Sequence, residues 1–257
     1  MVVEGSQVVL LRCSACGHEL SGLGNDRIFL CASCGRAWVL EDSSPVRVPV
    51  RFPDPDWVRE VSKGSGDPLI HMPFWRIGSR ISIPERIVRP DLSSSRTSLD
   101  TDREEPGLVR TQVPDRAQDL LFPAFSCTRS LSVGVELSIR PCVPPALEDS
   151  PDRLPSLVGG TVGPGDARRL AEAVAVGIEM SRDDFLARMD LRLEVLEQEL
   201  LAMPCLAEAR GLRVAGAGIL IHWRNLEDCR DILAFHGLEP LADSRSDAIL
   251  DHGSGLL

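Results

Sequence analysis

The chain has little of several residue types on which common functions depend. Its 257 residues include no Tyr, and aromatic residues make up only 4% of the sequence. Lys63 is the only lysine, so Arg carries almost all the positive charge. A Schiff-base lysine or a phosphate-loop lysine therefore has one candidate, which lies in the run of small and polar residues at 62–66. We expect neither kind of chemistry.

The chain also lacks a surplus of positive charge and a long apolar run. Its net charge is −10 and its pI is about 5.0, whereas nucleic-acid binders gain most of their affinity by neutralising phosphates. No apolar run approaches the roughly 20 residues that span a bilayer, and no basic region precedes such a run at residues 1–20. We therefore expect a soluble, cytoplasmic protein without membrane insertion. In that compartment closely spaced Cys pairs more often bind metal than form disulfides.

Two Cys-x-x-Cys-Gly units stand out, at residues 13–17 and 31–35. Zinc needs four ligands in a tetrahedron, and each unit brings two thiolates to one ion. The Gly after each second Cys permits a left-handed backbone there. The spacing predicts one structural zinc ion with four ligands: Cys13, Cys16, Cys31 and Cys34. Iron is the alternative, since four thiolates suit either metal, and a site filled by four sulfurs has no open position for catalysis.

The segment that contains these cysteines resembles a known class of module. Residues 11–42 are similar to the zinc-ribbon knuckles of transcription factors, RNA polymerase subunits, ribosomal proteins and bacterial proteins of unknown role. The run Met72-Pro73-Phe74-Trp75 after such a ribbon also resembles uncharacterised bacterial zinc-ribbon proteins that carry a Pro-aromatic-Trp strand. Neither resemblance implies an activity. The predicted hairpin tip, residues 21–27, has one Arg beside one Asp, which favours a structural or protein-contacting ribbon over a nucleic-acid reader.

Composition and periodicity predict an α+β fold. A small N-terminal zinc ribbon precedes a mixed, mainly antiparallel sheet domain with two or three helices in the C-terminal half. The predicted divisions are a ribbon at 8–42, a linker at 43–66, an α+β domain at 67–238 with a disordered insertion at 91–118, and a flexible tail at 239–257. The insertion is polar and charged without apolar periodicity, so it buries too little surface to offset its ordering entropy.

Within the main domain, alternation and helical spacing predict individual elements. The predicted strands are residues 69–77 with extension through Ile81, Ile83 and Ile87, residues 131–139, and a hairpin of 212–214 with 219–223. The predicted helices are one capped by Asp166, a second that starts at Ser181 and carries a stripe from Phe185 to Leu200, and a short third near 226–236. Three similar segments, at 69–74, 120–125 and 200–205, are either equivalent strands of one sheet or a chance likeness in a Pro-rich chain.

Other residues of types that commonly carry chemistry have a simpler interpretation. The isolated thiols are expected to be buried small hydrophobes: Cys127, Cys142, Cys205 and Cys229. Pairing of Cys205 with His222, or of Cys229 with His236, as nucleophile and base is an alternative that the spacing does not demand. Glu194, Glu197 and Glu199 are interpreted as a solvated helix face. The Gly-rich run at 159–165 lacks the Gly-Lys-Ser/Thr ending of a phosphate loop and is interpreted as a loop and helix cap.

These observations favour a non-enzymatic adaptor or assembly protein that acts through protein–protein contacts with unidentified partners. Phe74 and Trp75 are candidate partner-binding anchors, although the sequence favours a place in the core for both. A nucleic-acid-associated regulatory protein is the first alternative, and nucleic acid is the less expected partner. An enzyme of unknown class that uses Cys127, Cys205 or Cys229 is the second. No small-molecule substrate is evident from the sequence.

Overall fold

The computed structural model describes residues 11–20, 22, 26–31, 33–41, 44–89, 108–140, 144, 147–148, 159–182 and 184–226. These residues form two sheets and three α-helices, which confirms the predicted α+β class. The strands are β1 (Ile28–Leu30), β2 (Ala37–Glu41), β3 (Ser44–Val48), β4 (Val50–Pro53), β5 (Leu69–Arg89), β6 (Val109–Pro123), β7 (Leu147–Glu148), β8 (Phe185–Glu208), β9 (Gly211–Val214) and β10 (Ile219–His222). The helices are α1 (Pro55–Val61), α2 (Ser130–Ile139) and α3 (Pro164–Met180).

The small sheet is antiparallel, in the order β1-β2-β3, and each of its faces packs against something different. Because side chains alternate along a strand, Phe29 and Trp38 lie on the face toward the cysteines. Ile28, Ala37 and Val39 lie on the other face and belong to the main hydrophobic core. The small sheet is thus one layer of a continuous core.

The large sheet is built around β5 and β8. β5 pairs with β6 along one edge and with β8 along the other, and both pairings are antiparallel. The far edge of β8 pairs with β9 near its C-terminal end and, in parallel, with β4 at Leu200 and Leu201. β10 and β7 extend the sheet beyond β9 and β4, so the predicted hairpin of β9 and β10 is confirmed.

The three similar segments predicted to be equivalent strands are neighbours in this sheet. They lie in β5 (69–74), at the end of β6 (120–125) and in β8 (200–205). Phe74 pairs with Pro123 on one side and with Leu201 on the other, so the segments lie at one level across three strands. The three segments are therefore neighbouring strands of one sheet, as predicted, although β5 and β8 run through their prolines and only β6 ends at its own.

The prolines of these segments lie where a missing N–H costs little. The carbonyl of Pro73 accepts a hydrogen bond from Ala124 at 3.0 Å, and that of Pro204 accepts one from Ala215 at 2.9 Å. Because Pro has no N–H, neither Pro73 nor Pro204 can donate a hydrogen bond back to the carbonyl of its partner. The partners, Ala124 and Ala215, follow the last residues of β6 and β9, so the missing bonds lie at the ends of the ladders. β5 runs through Pro73 without a bulge, and its register shifts begin at Gly78.

The prediction of a strand at 131–139 is wrong, because these residues form α2. The helix buries Val133, Gly134 and Leu137, which are neighbours on one helical face. A Cβ at Gly134 would lie 2.8 Å from Val174 Cγ2 and 2.9 Å from Phe122 Cβ. The missing side chain therefore lets α2 pack closely against both α3 and β6, and this tertiary contact overrides the alternating pattern.

The first predicted helix is confirmed as α3, although its N-cap is Gly163 and Asp166 lies in the first turn. The predicted second helix is wrong, because residues 185–208 form β8. Ser181, expected to cap that helix, instead ends α3 and donates a hydrogen bond from its hydroxyl to the Ile178 carbonyl at 2.7 Å. Leu, Arg, Glu and Met favour helices, but pairing along the whole length of β5 outweighs that preference.

Two predicted boundaries also change. The segment 43–66, predicted as a linker, contains β3, β4 and α1, and Asp54 caps α1 through hydrogen bonds of 2.8 and 3.0 Å from two backbone N–H groups. Residues 109–118, predicted as part of the insertion, belong to β6. The rest of that insertion from residue 91 to 107, the third predicted helix beyond Leu226 and the predicted tail lie outside the described residues.

Candidate metal centre

Both cysteine units fold into the same backbone turn. The Cys13 N–H donates to the His18 carbonyl at 2.8 Å, and the Gly17 N–H donates to the Cys13 carbonyl at 2.7 Å. The unit of Cys31 and Gly35 repeats both bonds at the equivalent positions, at 2.9 and 2.8 Å. Gly17 and Gly35 have φ of 74° and 69°, the left-handed region that favours glycine. The local sequence thus shapes two matching turns, which we call the cysteine turns.

The two turns bring the four sulfurs together. All four Sγ atoms lie within 4.8 Å of one another, and the shortest separations are 3.6 Å for Cys13–Cys34 and 3.5 Å for Cys16–Cys31. A tetrahedral ion with Zn–S bonds of about 2.3 Å separates its sulfurs by about 3.8 Å. A disulfide would need an S–S distance of about 2.05 Å. The spacing fits one tetrahedral metal ion and not a pair of disulfides, so the cluster is geometrically suited to bind a metal.

The electrostatics of the cluster also favour a cation. Burial alone would raise the pKa of Cys13, but hydrogen bonds from the backbone N–H groups of Ala15 and Cys16 and from neighbouring thiols lower that pKa to about 6. Burial and the adjacent cysteines raise the pKa of Cys34 to about 12, against the lowering effect of the Arg36 N–H. The Cys13 thiolate therefore forms readily, whereas ionisation of Cys34 beside the other sulfurs is unfavourable. A divalent cation would offset the negative charge that accumulates when several thiols ionise.

The cluster is shielded on its inner side. Cys13 and Cys31 are buried, Cys34 is half-buried and Cys16 is exposed. Leu20, Phe29 and Trp38 form a small apolar cluster with the buried cysteines. His18, which directly follows the first unit, is exposed, as expected for a surface residue.

A short loop, residues 159–163, connects this module to the large sheet, and we call it the bridging loop. The Gly160 carbonyl accepts hydrogen bonds from the backbone N–H groups of Arg27 at 2.7 Å and Ile28 at 2.9 Å, at the start of β1. A Cβ at Gly160 would lie 2.6 Å from Ile28 Cδ1 and 2.9 Å from the Ala124 carbonyl oxygen. Only glycine fits between the module and the sheet at this point.

The other side of the bridging loop is bonded to the large sheet. The Ala124 carbonyl, which receives no bond from Pro73, accepts from Thr161 at 3.0 Å and from Val162 at 2.9 Å. Trp75 Nε1 donates to the Val162 carbonyl at 2.8 Å. The Gly-rich run interpreted as a loop and cap therefore also connects the two sheets.

Phe74 and Trp75, the candidate partner-binding anchors, are both 0% exposed. The Phe74 ring packs edge-on against Phe125 with centroids 5.5 Å apart, and Trp75 is bonded to the bridging loop. Their burial places both in the core and corrects the suggestion that they are surface anchors.

The two thiols outside the cluster that the structure describes, Cys127 and Cys205, are not activated. Cys205 is fully buried, which raises its pKa, and its Sγ lies 3.7 Å from the Met203 carbonyl. Burial also raises the pKa of the half-buried Cys127. Burial lowers the pKa of His71 to about 4, so this side chain is neutral at physiological pH. Cys142, Cys229 and His236 lie outside the described residues.

The sequence did not predict the burial of two carboxylates, Glu179 and Glu199. Glu199, predicted to be solvated, is 2% exposed and pairs with Arg76 at 2.6 Å and Arg51 at 3.2 Å. Glu179 is 0% exposed, at the end of α3, and pairs with Arg116 at 2.6 Å. Glu194, by contrast, is exposed as predicted.

No protein-family model matches the chain, and neither the curated proteins nor the solved structures include a detectable relative. The assignment of the cysteine cluster therefore rests on its own geometry. In the part of the chain that the structure describes, no helix combines the length and the apolar character needed to cross a bilayer.

Proposed function

We propose that the four cysteines bind one zinc ion with a structural role, in a cytoplasmic protein that acts as an adaptor or assembly component. The observation that carries the metal assignment is the set of four sulfurs within 4.8 Å, on two turns with the same hydrogen bonds. Four protein thiolates fill a tetrahedral ion, so the metal has no open position for substrate or water. Zinc would keep the small sheet in the shape that packs on the main core.

The proposed protein contacts are supported by exposed side chains on the surface and by the low reactivity of two thiols. In the first cysteine turn Cys13 is buried, and the residues that follow it, from Ser14 to Glu19, are exposed. Large apolar side chains are exposed on the main domain, among them Met180 at 64%, Phe185 at 53% and Leu196 at 53%. Cys127 and Cys205 have raised pKa values and are poor nucleophiles, which favours a contact role over thiol catalysis.

The metal assignment is tested by elemental analysis of the protein purified without added metal. We expect about one zinc per chain, from the four-thiolate stoichiometry of a closed site. Cys31→Ser should lose that zinc, whereas Cys127→Ser, a half-buried thiol outside the cluster, should retain it. Iron in place of zinc would overturn the choice of metal, and a metal-free protein with four reactive thiols would overturn the site.

The adaptor role is tested by cross-linking in cells of the native host, followed by purification of the intact chain. We expect one or a few proteins to be recovered in stoichiometric amounts with the chain. Variants with an altered exposed surface that still contain zinc should no longer recover these proteins. Recovery of the free chain under several growth conditions would contradict the proposal. Recovery of nucleic acid with salt-dependent affinity would contradict it in favour of a regulatory role.

A further inference from the structure

One edge of β8 is unpaired over more than half of the strand, within the described residues. β5 pairs with β8 from Phe185 to Leu206, while on the other edge β4 pairs only at 200–201 and β9 only at 205–208. Residues 185–198 therefore present a row of backbone N–H and C=O groups to one side of the sheet. Such an edge is a template for another strand unless the protein blocks it.

We propose that this edge is a self-association surface, on which β8 of a second copy of the chain pairs antiparallel about a two-fold axis at Leu191. The proposal goes beyond the adaptor role and does not depend on the metal. The two sheets would join into one across the axis, and each copy would offer the same patch to the other, as a two-fold interface requires.

The charges along the strand favour this register, because it forms more opposite-charge pairs than an axis at any neighbouring residue. Opposite residues in an antiparallel pair share a face of the sheet. With Leu191 on the axis, Arg188 lies opposite Glu194 of the second copy, and Asp190 lies opposite its Arg192. Each of these four charges thus meets the opposite charge, and symmetry repeats each pair. Moving the axis to Asp190 would oppose Asp190 with itself and Arg188 with Arg192, and moving it to Arg192 would oppose Arg192 with itself and Asp190 with Glu194.

These charged side chains are available for such pairing. Glu194, Arg192 and Asp190 are exposed by 61%, 74% and 51% of their side-chain surface. Their contacts within the chain are exposed ion pairs, Arg80–Glu194 at 2.9 Å and Arg192–Asp190 at 3.4 Å. Exposed pairs of this kind contribute little to stability, so rearranging them on association is inexpensive.

The geometry of the strand sets the limits of the interface. β8 has one extra residue against β5 at Ala187 and another at Leu196, and β5 has one extra residue opposite Leu191. The extra residue opposite Leu191 belongs to β5, so exposed and half-buried residues still alternate regularly along β8 from 188 to 195. The charged residues 188, 190, 192 and 194 are exposed, and residues 189, 191, 193 and 195 between them are half-buried. The proposed axis at Leu191 lies within one residue of the middle of this alternating stretch, residues 188–195.

The half-buried side of the same stretch opens onto a groove. The groove lies between α3 and β8 and has a volume of about 620 Å³. Apolar side chains such as Met180, Met189 and Leu193 line it together with the charged Glu172, Arg188 and Arg192. In the proposed register Met189 lies opposite Leu193 of the second copy, on this side of the sheet. Association would therefore add apolar burial beside the groove to the backbone hydrogen bonds of the edge.

Charge exchange provides the test. Sedimentation or light scattering of the full chain should show a concentration-dependent dimer. Arg188→Glu or Glu194→Arg alone places like charges opposite each other twice per dimer, so the dissociation constant should rise by at least about tenfold. The double variant Arg188→Glu/Glu194→Arg should recover the dimer. The Arg80–Glu194 contact is lost in both Glu194→Arg and the double variant, so recovery isolates the contact between copies.

Mixing gives a second reading from the same proteins. In an equimolar mixture of Arg188→Glu and Glu194→Arg, the glutamate introduced into one chain faces the arginine introduced into the other, and the unchanged residues of the two chains also form an opposite-charge pair. The mixture should therefore form heterodimers while each variant alone stays monomeric. Circular dichroism of each variant checks that the fold is retained. A monomeric wild type, or single variants that dimerise as the wild type does, would overturn the proposal.

The axis itself is tested by Leu191→Cys. Residues on a two-fold axis between antiparallel strands have Cα atoms about 4.5–5.5 Å apart, within the range of a disulfide. This variant should form a covalent dimer under mild oxidation, and neither the wild type nor Ser132→Cys, on the exposed face of α2, should do so to the same extent. Equal cross-linking of both variants would contradict the register.

Discussion

Glu179 shows how strongly single residues depend on distant partners. It is fully buried at the C-terminal end of α3, where the helix dipole already disfavours negative charge. Arg116 lies 2.6 Å from its carboxylate, Arg182 lies at 2.8 Å, and the buried Arg86 lies at 3.4 Å. Arg86 also forms a bidentate pair with Asp184, so each charge of this cluster is compensated by several others.

Replacing Glu179 by Gln should destabilise the fold by about 3–5 kcal/mol, because the change removes the buried carboxylate shared by three guanidinium groups and leaves Asp184 as the remaining partner of the buried Arg86. The free energy of unfolding from urea denaturation measures the effect. Glu172→Gln is the matched control, since Glu172 lies on the same helix and is exposed. A loss below about 1 kcal/mol would show that the Arg cluster is compensated without Glu179.

The same cluster predicts acid sensitivity. Burial raises the pKa of Glu179, but hydrogen bonds from Arg116 and Arg182 outweigh it and hold the pKa below the ordinary 4.5. A hydrogen bond from Arg86 lowers the pKa of Asp184 below 3.8. A lowered folded-state pKa gives stability that is complete above the unfolded value and lost as pH falls through the folded value. The free energy of unfolding should therefore decline below pH 4.5, and less steeply in Glu179→Gln.

At the scale of elements, the sequence correctly predicted the features that depend on residues close together in the chain. The four-cysteine cluster and α3 follow from short spacings, and the hairpin of β9 and β10 from local turns. β8 carries two patterns at once: Phe185, Met189 and Leu193 suit a helix, while Met189, Leu191 and Leu193 alternate with charges as in a strand. Only the partner strand β5, about a hundred residues or more earlier in the chain, decides between them, so periodicity alone was insufficient.

The buried ion pairs were beyond prediction for the same reason. Arg86 and Glu179 are separated by 93 residues, and Arg76 and Glu199 by 123. Neither carboxylate differs from a surface residue in its local sequence context. Burial of Glu199 follows from β8 being a strand beside β5 and β4, which the helical interpretation had excluded.

The bridging loop makes an element-scale prediction. Gly160→Ala should destabilise the fold by about 1–3 kcal/mol, because its Cβ would overlap Ile28 and the Ala124 carbonyl. Gly165→Ala is the matched control: a Cβ there meets nothing within 4 Å, and Ala is the better helix former in α3. Thermal unfolding of both variants makes the comparison. Equal melting temperatures would show that the bridging loop adapts without cost.

At the scale of the whole molecule, the module and the large sheet share one core. Ile28, Ala37 and Val39 of the small sheet pack in the same cluster as Trp75 of β5 and Val174 of α3. The described chain passes from β3 to β4, hence from one sheet to the other, through Pro49 alone. Unfolding of the module should therefore expose part of the main core.

Metal removal tests this coupling. A chelator, or Cys13→Ser, should lower the melting temperature of the entire chain in one cooperative transition, because ligand binding to the folded state stabilises everything that unfolds with it. Far-UV circular dichroism and tryptophan fluorescence should report the same midpoint. Two separate transitions, with the large sheet unaffected, would show that the module folds independently of the sheet.

The path of the chain has a consequence for the order of folding. Cys13 and Cys34 are 21 residues apart, and Cys16 and Cys31 are 15 apart, so the two cysteine turns meet after a short loop closure. The Arg51–Glu199 pair beside the β4–β8 ladder instead spans 148 residues, and contacts between such distant residues form slowly. During this interval a metal-bound module would present its core-facing Ile28, Ala37 and Val39 to solvent, making it the stage of folding most exposed to aggregation.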